Sequence, residues 1–468
     1  MKKSILKIFI QVIFLICALP CIAQTTHSAY FMEGMPTRHK LNPALASEYG
    51  YVSMPLLGDI NVGASSNVGV STFLYPTDGG EMINFLNKAV DSKEFLGSLK
   101  SQNKIVSELD LSLLSFGFYK WNGFNTFDVS LRTRFGVQMP KEIFEFLKVG
   151  RQTTNDATTY EIEDINANAT SYVDIALGHS RNINEKWRVG VKLKGLVGLA
   201  RANVNIDRMH ITMNDATSQW IVNSKGHADI SVRGVELENA ISENSKGEPQ
   251  EIVDGVDFDS SNMGVAGGGL ALDFGVTYRP LKDLEISASI VDLGFITWRH
   301  NKSLETISGE VVYEGINTGA DEDLEDIGET FADLVDFREV QKSRSTSMLK
   351  ASLNIGAEYS FLNNAISLGV LSHTRFGKET YAEGMLAVNF RTKKIFMMSV
   401  NGTISNMGGS FGALFNVGLR GFDLFAGIDC YPGLKVTPDY YAPINKFHVN
   451  ASMGISFNFG NRVLHNDI

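Results

Sequence analysis

Apolar and polar residues alternate along much of this chain, and the pattern is clearest in residues 446–459, near its end. One face of this stretch is apolar and the other is small and polar: Phe447, Val449, Ala451, Met453, Ile455, Phe457 and Phe459 against Asn450, Ser452, Gly454, Ser456 and Asn458. A period of two over this length predicts a β-strand. A lipid-compatible face opposite a small polar face is typical of a transmembrane barrel strand, although a sandwich strand shares the period.

The same period recurs in segments arranged as hairpins. Residues 109–120 and 124–138 are joined by Trp121-Asn122-Gly123, and Asn-Gly is a strong hairpin turn signal. Several segments are much longer than the roughly five or six residues of an average globular strand. The pattern predicts an all-β fold, a transmembrane antiparallel β-barrel of about 14 strands with a few short helices. Further predicted strands include 172–180, 186–199, 203–213, 264–279, 284–299, 347–361, 365–375, 381–390, 395–405, 411–420 and 422–430.

Other stretches break the period of two. Apolar residues at spacings of three and four predict one or two amphipathic helices over residues 79–100, a short helix over 141–148, and a helix with an acidic face over 321–340. Residues 25–76 are irregular, which fits either a surface loop or a segment inside the barrel mouth. The predicted organisation is a signal peptide at 1–23, an N-terminal plug and helical segment at 24–106 that can contain the first strands, and the barrel at 107–468.

The start of the chain has the features of a secretory signal peptide. Three lysines precede the apolar run 8–18, and the small residue Ala23 ends the segment. Removing it takes three of the 42 Lys and Arg residues against 52 Asp and Glu, so the net charge of −10 becomes about −13, which argues against a nucleic-acid partner. Cys430 is then the one cysteine left, which excludes an internal disulfide.

Five cations lie on the polar face of the predicted strands: Arg132, Arg134, Arg188, Lys192 and Lys194. A charge facing lipid at the membrane midplane costs roughly 2–4 kcal/mol, so these side chains are expected to face the lumen. Asp128 and Asp174 are the carboxylates on the neighbouring segments, which leaves three positive charges to be compensated. Under one hypothesis, carboxylates of the plug or of the 321–340 helix pair with them. Under the other, the five cations are a ligand-binding site for an anionic compound, such as a fatty-acid carboxylate.

No motif predicts a catalytic site, a cofactor or a metal site. Residues 408–412 fit the nucleophile-elbow pattern G-x-S-x-G, but they lie between two predicted membrane strands, whereas an elbow joins a buried strand to a helix. The nine histidines are scattered without the spacing of metal ligands. The sequence therefore predicts no enzyme and no cofactor.

Four stretches resemble an uncharacterised family of Bacteroidota outer-membrane barrels, a domain-of-unknown-function family: residues 30–34, 41–44, 203–208 and 359–375. That family resembles the long-chain fatty-acid transporter type of barrel, which implies about 14 strands around an N-terminal plug. The ending Ser452-x-Gly454-x-x-Phe457-x-Phe459 also resembles the C-terminal signal of outer-membrane proteins. This resemblance implies recognition by the barrel-assembly machinery through Gly454, Phe457 and Phe459, although nine residues follow the signal here.

These resemblances imply a location in the bacterial outer membrane, in contact with its lipid. They also imply passive uptake of a small hydrophobic or amphipathic compound through a plugged lumen, because a plug distinguishes such a barrel from an open pore. The alternative is a non-transporting scaffold that binds a surface or periplasmic protein through long loops.

Overall fold

The computed structural model describes residues 27–77, 82–150, 157–213, 220–243, 248–307, 311–313, 335–340, 343–377, 380–392, 395–419, 421–435 and 444–460. Its helices are α1 (Ser92–Ser98) and α2 (Lys141–Val149), with 3-10 helices at His27–Phe31, Pro36–Lys40, Val70–Thr72 and Ser260–Asn262. Its strands are β1 (Gly50–Ser53), β2 (Ile60–Ser66), β3 (Leu74–Pro76), β4 (Met82–Asn84), β5 (Gln102–Lys120), β6 (Gly123–Pro140), β7 (Thr158–Asn182), β8 (Trp187–Met213), β9 (Trp220–Val232), β10 (Val235–Glu243), β11 (Pro249–Phe258), β12 (Gly267–Leu281), β13 (Leu284–Trp298), β14 (Asn301–Thr306), β15 (Val311–Tyr313), β16 (Phe337–Val340), β17 (Ser345–Met348), β18 (Ser352–Phe361), β19 (Ile366–Arg375), β20 (Tyr381–Thr392), β21 (Phe396–Ser405), β22 (Gly408–Leu419), β23 (Phe422–Cys430) and β24 (Phe447–Phe459).

The main sheet closes on itself as an antiparallel barrel of 14 wall strands, which confirms the predicted fold class. The wall runs from β5 through β6, β7, β8, β12 and β13 to β18, and then in order to β24. Two wall strands each consist of two pieces. β1 and β2 both pair with β24 and β5, and β17 and β18 both pair with β13.

The predicted faces of the last strand are confirmed. Met453 and Phe457 are 52% and 50% exposed on the outside, whereas Asn450 is 3% exposed on the inside. An apolar exterior around a polar interior inverts the arrangement of a soluble β-protein, and it is the arrangement that a barrel in lipid requires. Gly454 is needed for packing, since a Cβ at this position would lie 2.3 Å from the carbonyl oxygen of Gly58.

The barrel begins at Gly50 and not at residue 107, because the first wall strand is formed by β1 and β2. Residues 54–59 leave the ladder between these pieces, and Leu56 adopts a φ of 65° there. This bulge breaks the period of two, so the sequence pattern of residues 50–66 looks irregular. Residues 50–53 and 60–66 form a wall strand because they pair with β5 and β24, although their own sequence pattern does not predict one.

Two strands are much longer than the sequence predicts. The segment 172–180 is part of β7, which has 25 residues, and 186–199 and 203–213 are both parts of β8, which has 27. At about 3.3 Å per residue they are about 80–90 Å long, far more than the roughly 30 Å of membrane hydrocarbon. Their outer parts project beyond the barrel together with β9–β11 and β14–β16, around a buried apolar cluster that includes Ile162, Met209, Ile211 and Leu304.

Of the predicted helices, the short one that follows a proline is confirmed. The helix predicted at 141–148 is α2, whereas the stretch 79–100 holds β4 and α1 among its described residues. Most of the predicted helix 321–340 lies outside the described residues, and its end, Phe337–Val340, is the strand β16. The predicted signal peptide also lies outside them. No helix among the described residues is both long and apolar enough to cross a membrane.

Candidate functional site

Residues 27–48, here called the lumen segment, lie inside the barrel and contact its wall on several sides. Tyr30 Oη donates a hydrogen bond to Ser287 Oγ of β13 at 2.9 Å, and Asn354 Nδ2 of β18 donates to the carbonyl oxygen of Leu41 at 2.9 Å. On other sides the segment contacts β20, β8 and the bulge before β2 through the pairs His27–Glu383, His39–Lys192 and Lys40–Asp59. The segment therefore crosses the lumen and is not a surface loop.

A turn at Asn42-Pro43 lets the lumen segment approach the wall closely. Asn42 Oδ1 accepts a hydrogen bond from the Ala44 backbone at 2.9 Å, which stabilises the turn. Two wall glycines face it. A Cβ at Gly275 would lie 2.0 Å from Asn42 Oδ1, and one at Gly190 would lie 2.3 Å from the Pro43 carbonyl carbon. Side chains at either position would push the turn away from the wall.

All five predicted cations face the lumen and are buried, at 9% exposure or less. Arg132, Arg134 and Lys194 share Asp292 in one ion-pair network, and Lys192 pairs separately with Asp128. Arg188 lies apart from them, near the turns, where its Nη2 donates to Ser180 Oγ at 3.2 Å. The alternation in the sequence thus placed each side chain on the correct face but did not show which of the five cations share a partner.

The network contains more carboxylates than the two predicted from sequence. Lys194 Nζ lies 2.7 Å from Asp273 and 2.6 Å from Asp292, and Arg132 Nη1 donates to the same Asp292 at 2.9 Å. Arg132 Nε also lies 2.6 Å from Asp174. The predicted excess of three positive charges is therefore wrong, because wall strands supply the additional carboxylates: Glu108, Asp110, Asp273 and Asp292.

The sequence pattern predicts the lumen position of one of these carboxylates but not of another. Asp273 lies on the inward face of a strand whose outward residues are apolar, so the alternation of the sequence could have identified it as a lumen residue. Asp292 lies in a bulge where β12 and β13 shift register, with a φ of 60°, and its backbone N–H donates to Asp273 Oδ1 at 2.8 Å. A bulge redirects a side chain against the local period, so only the tertiary structure reveals Asp292.

A closed ring of hydrogen bonds joins the lumen segment to the wall. His39 Nε2 lies 2.6 Å from Tyr51 Oη, which lies 2.8 Å from Ser115 Oγ. Ser115 donates to Asp128 at 2.6 Å, and Lys192 Nζ contacts both Asp128 at 3.0 Å and His39 Nδ1 at 2.8 Å. Burial, and then the Lys192 ammonium, lower the pKa of His39 to about 3, so the neutral ring accepts from Lys192 and donates to Tyr51.

The lumen segment separates two cavities. The larger, about 750 Å³, lies at the end of the barrel where short turns join the strands, and its charged lining includes Arg38, Arg188, Arg279, Glu48 and Asp283. The smaller, about 50 Å³, lies between the segment and the ion-pair network, and Arg132 and Arg134 line it. Residues of the lumen segment line both cavities.

The described residues contain no arrangement for hydrolysis at the G-x-S-x-G motif. Ser410 lies within β22, and its Oγ is hydrogen bonded to Thr403. No group of three or more His, Cys, Asp or Glu residues in the described ranges could hold a metal ion.

The chain is similar to one known family and to several solved barrels. The model of DUF5723, described as a family of unknown function, matches residues 43–429. No curated protein matches the chain. The toluene transporter TbuX of Ralstonia pickettii is 9% identical, with a TM-score of 0.42 over 92% of this chain and 100% of that chain. The monoaromatic hydrocarbon channel CymD is 10% identical, with a TM-score of 0.43 over 95% and 99%. A FadL homologue of Pseudomonas aeruginosa is 8% identical, with a TM-score of 0.43 over 94% and 95%. Identities and scores this low carry no argument about function.

Proposed function

Because this chain belongs to DUF5723, a family of unknown function, we propose a function from its own geometry: passive uptake of a small hydrophobic or amphipathic compound across the outer membrane. In this proposal the lumen segment is a plug that must rearrange to let the compound pass. The observation that carries it is the way the lumen is filled. Among the described residues the segment joins the wall covalently at β1, and hydrogen bonds to wall side chains hold it elsewhere.

The residues at the two ends of the lumen support the proposal that a hydrophobic compound enters at one end and leaves into water at the other. At the long-loop end, α1 and α2 bury a cluster of phenylalanines, among them Phe73, Phe85, Phe95 and Phe144. Such a cluster favours apolar compounds over ions. At the short-turn end, the 750 Å³ cavity is lined with charged groups. Outer-membrane barrels place short turns in the periplasm, so this end is the proposed exit.

Removing the plug is the direct test of uptake. Deleting residues 30–45 should raise ion conductance in planar bilayers and raise entry of a hydrophobic dye into liposomes, because the wall then surrounds an unfilled lumen. Deleting the matched number of residues 241–256 from the projecting hairpin should leave conductance unchanged. A folded deletion barrel with wild-type conductance would contradict the plug.

Ligand binding by the five cations remains part of this proposal. Arg134 is best placed for it, since its carboxylate contacts, to Glu108 and Asp292, are both 3.7 Å long and its side chain lines the smaller cavity. The shorter pairs of Arg132, Lys192 and Lys194 favour a structural role instead. Changing Arg132 and Lys192 together to Met separates the two roles. Lost stability with retained binding of a fluorescent fatty acid would leave Arg132 and Lys192 only the structural role, whereas lost binding at wild-type stability would support the ligand site.

A second candidate function is a scaffold for a surface protein, and the projecting sheet favours it. β7 and β8 extend far past the membrane, and nothing in uptake requires a sheet of that height. Crosslinking from residues 236 and 251 on the projecting hairpin should then capture one protein at a fixed stoichiometry. Dye entry raised by the plug deletion, without any such partner, would favour transport.

A further inference from the structure

We propose that two histidines and a methionine inside the lumen form a binding site for a soft monovalent metal ion, copper(I). The residues are His27 and Met35 of the lumen segment and His373 of β19. All three line the cavity of about 50 Å³. The imidazole rings of His27 and His373, which are 346 positions apart in the chain, have centroids 4.1 Å apart. This site does not depend on the proposed uptake.

The hydrogen bonds of Asn354 determine which nitrogen of His373 carries the proton. Asn354 Nδ2 donates to the Leu41 carbonyl at 2.9 Å and to Ser289 Oγ at 3.1 Å, so its Oδ1 is the atom that faces His373 Nδ1 at 2.7 Å. An amide oxygen only accepts, so Nδ1 carries the proton and Nε2 presents a lone pair. That Nε2 atom is buried and has no hydrogen-bond partner among the described residues. A buried acceptor left in this way is costly, and either a donor or a cation in the cavity would satisfy it.

His27, whose ring lies against that of His373, has a similar hydrogen bond at Nδ1. Its Nδ1 contacts the carboxylate of Glu383, which also accepts from Tyr381 Oη. Histidines that bind metals usually donate their second nitrogen to a carboxylate or a carbonyl-type oxygen, which orients the ring and raises its basicity. His27 and His373 both have this support, which leaves Nε2 of each ring for coordination.

The charge around the cavity favours a cation over an anion. Five cations and six carboxylates line it or contact its lining residues: Lys40, Arg132, Arg134, Arg375 and Lys194 against Asp59, Asp110, Asp292, Asp174, Glu108 and Glu383. A single positive charge is the smallest addition that reduces this imbalance without strong repulsion from the arginines.

The ligand types select the metal. Thioether sulfur with imidazole nitrogen is a soft donor set that suits copper(I), a d¹⁰ ion that accepts few ligands. The absence of any larger His, Cys, Asp or Glu group among the described residues argues against zinc, which takes four ligands in structural sites.

Silver(I) is a redox-stable probe for this site. Every protein in this test carries Cys430→Ser, because the free thiol would itself bind silver(I) and copper(I). Titration of this full-length chain, folded in detergent without chloride, should show one bound silver(I) by calorimetry. His373→Asn keeps a donor close to the position of Nδ1 and removes Nε2, and Met35→Leu keeps the volume and removes sulfur. Each should weaken binding by at least about tenfold, and Asn354→Leu by about 10–100-fold through loss of the orienting bond. His210→Asn, on the projecting sheet, is the matched control and should bind as the wild type does.

X-ray absorption of the copper(I) complex should show sulfur and nitrogen neighbours, with sulfur absent in Met35→Leu. Heat-modifiable gel migration reports whether each variant is folded. A wild-type barrel that binds no silver(I), variants that bind as tightly as the wild type, or a copper spectrum without sulfur would each overturn the proposal and leave water as the occupant of the cavity. The spectrum of the wild type decides the matter even where His373→Asn does not fold.

Discussion

Two sides of the same lumen are built from different chemistry. Strands β5–β8, β12 and β13 form an ion-pair wall, in which Lys194 lies within 2.7 Å of both Asp273 and Asp292. Strands β18–β24 form an amide wall, in which Asn389 Nδ2 donates to Ser367 Oγ at 3.1 Å. The inward residues of the amide wall are mostly amides and hydroxyls: Asn354, Ser367, Asn389, Ser399, Asn401, Ser410, Asn416, Asn450, Ser452 and Ser456.

The difference shows that the same alternation of inward and outward residues can line a lumen with interactions of very different strength. A buried charge whose partner is removed costs about 3–5 kcal/mol, whereas a neutral hydrogen bond contributes about 0.5–1.5 kcal/mol net. The lumen segment contacts both walls, so the ion-pair wall should tolerate substitution less well than the amide wall.

The largest expected effect is at the shared carboxylate of the ion-pair wall. Asp292→Asn keeps a residue type that tolerates the positive φ but removes the charge between Arg132 and Lys194, so the free energy of unfolding should fall by about 3–5 kcal/mol. Urea unfolding in lipid vesicles measures it. Asp423→Asn on the amide wall, beside Asn416, is the control and should cost less than half as much. Equal losses would show that the two walls do not differ.

The next effect tests which face belongs to lipid. Leu193 is adjacent to Lys192 in sequence but is 52% exposed on the outside of the barrel. Leu193→Lys should therefore lower the free energy of unfolding in vesicles by about 2–4 kcal/mol, although its neighbour is a buried lysine in the native chain. Leu193→Phe should be close to neutral. A stable Leu193→Lys barrel would mean that this strand has the opposite orientation.

The ring at His39 should make stability depend on pH. Its pKa falls from an ordinary value near 6.5 to about 3 on folding, so between these pH values the unfolded chain binds a proton that the folded chain does not. Stability should thus decrease as the pH falls through this window, by up to about 1.4 kcal/mol per pH unit. In His39→Asn this contribution to the slope should be absent. The same slope in both proteins would mean that another group titrates there.

The smallest effect is expected on the amide wall. Asn389→Ala removes the donor to Ser367 Oγ and should cost about 1 kcal/mol, with the heat-modifiable band retained. If the free energy of unfolding fell as much as in Asp292→Asn, the hydrogen bonds of this amide would contribute as much to stability as the ion pairs do.

The sequence alone determined the class of fold and the side of the wall on which most residues lie. In β6 the residues Asp128, Arg132 and Arg134 are buried in the lumen because side chains of a strand alternate faces, and this relation needs no knowledge of the partner strand. The helix after Pro140 was equally local, since proline at its start and an apolar stripe are both read within a few residues.

Only the tertiary structure decided which charges meet and what fills the lumen. Asp292 reaches Arg132 across 160 positions from a bulge that opposes its local period, and His27 and His373 meet because the lumen segment runs beside β19. The first wall strand escaped the pattern because residues 54–59 interrupt it, and its order comes from pairing with β5 and with the last strand. Alternation shows which face of the sheet a side chain lies on, because this depends only on the geometry of one strand. It does not show which residue lies next to that side chain, because barrel closure, bulges and the path of the lumen segment depend on contacts between residues far apart in the chain.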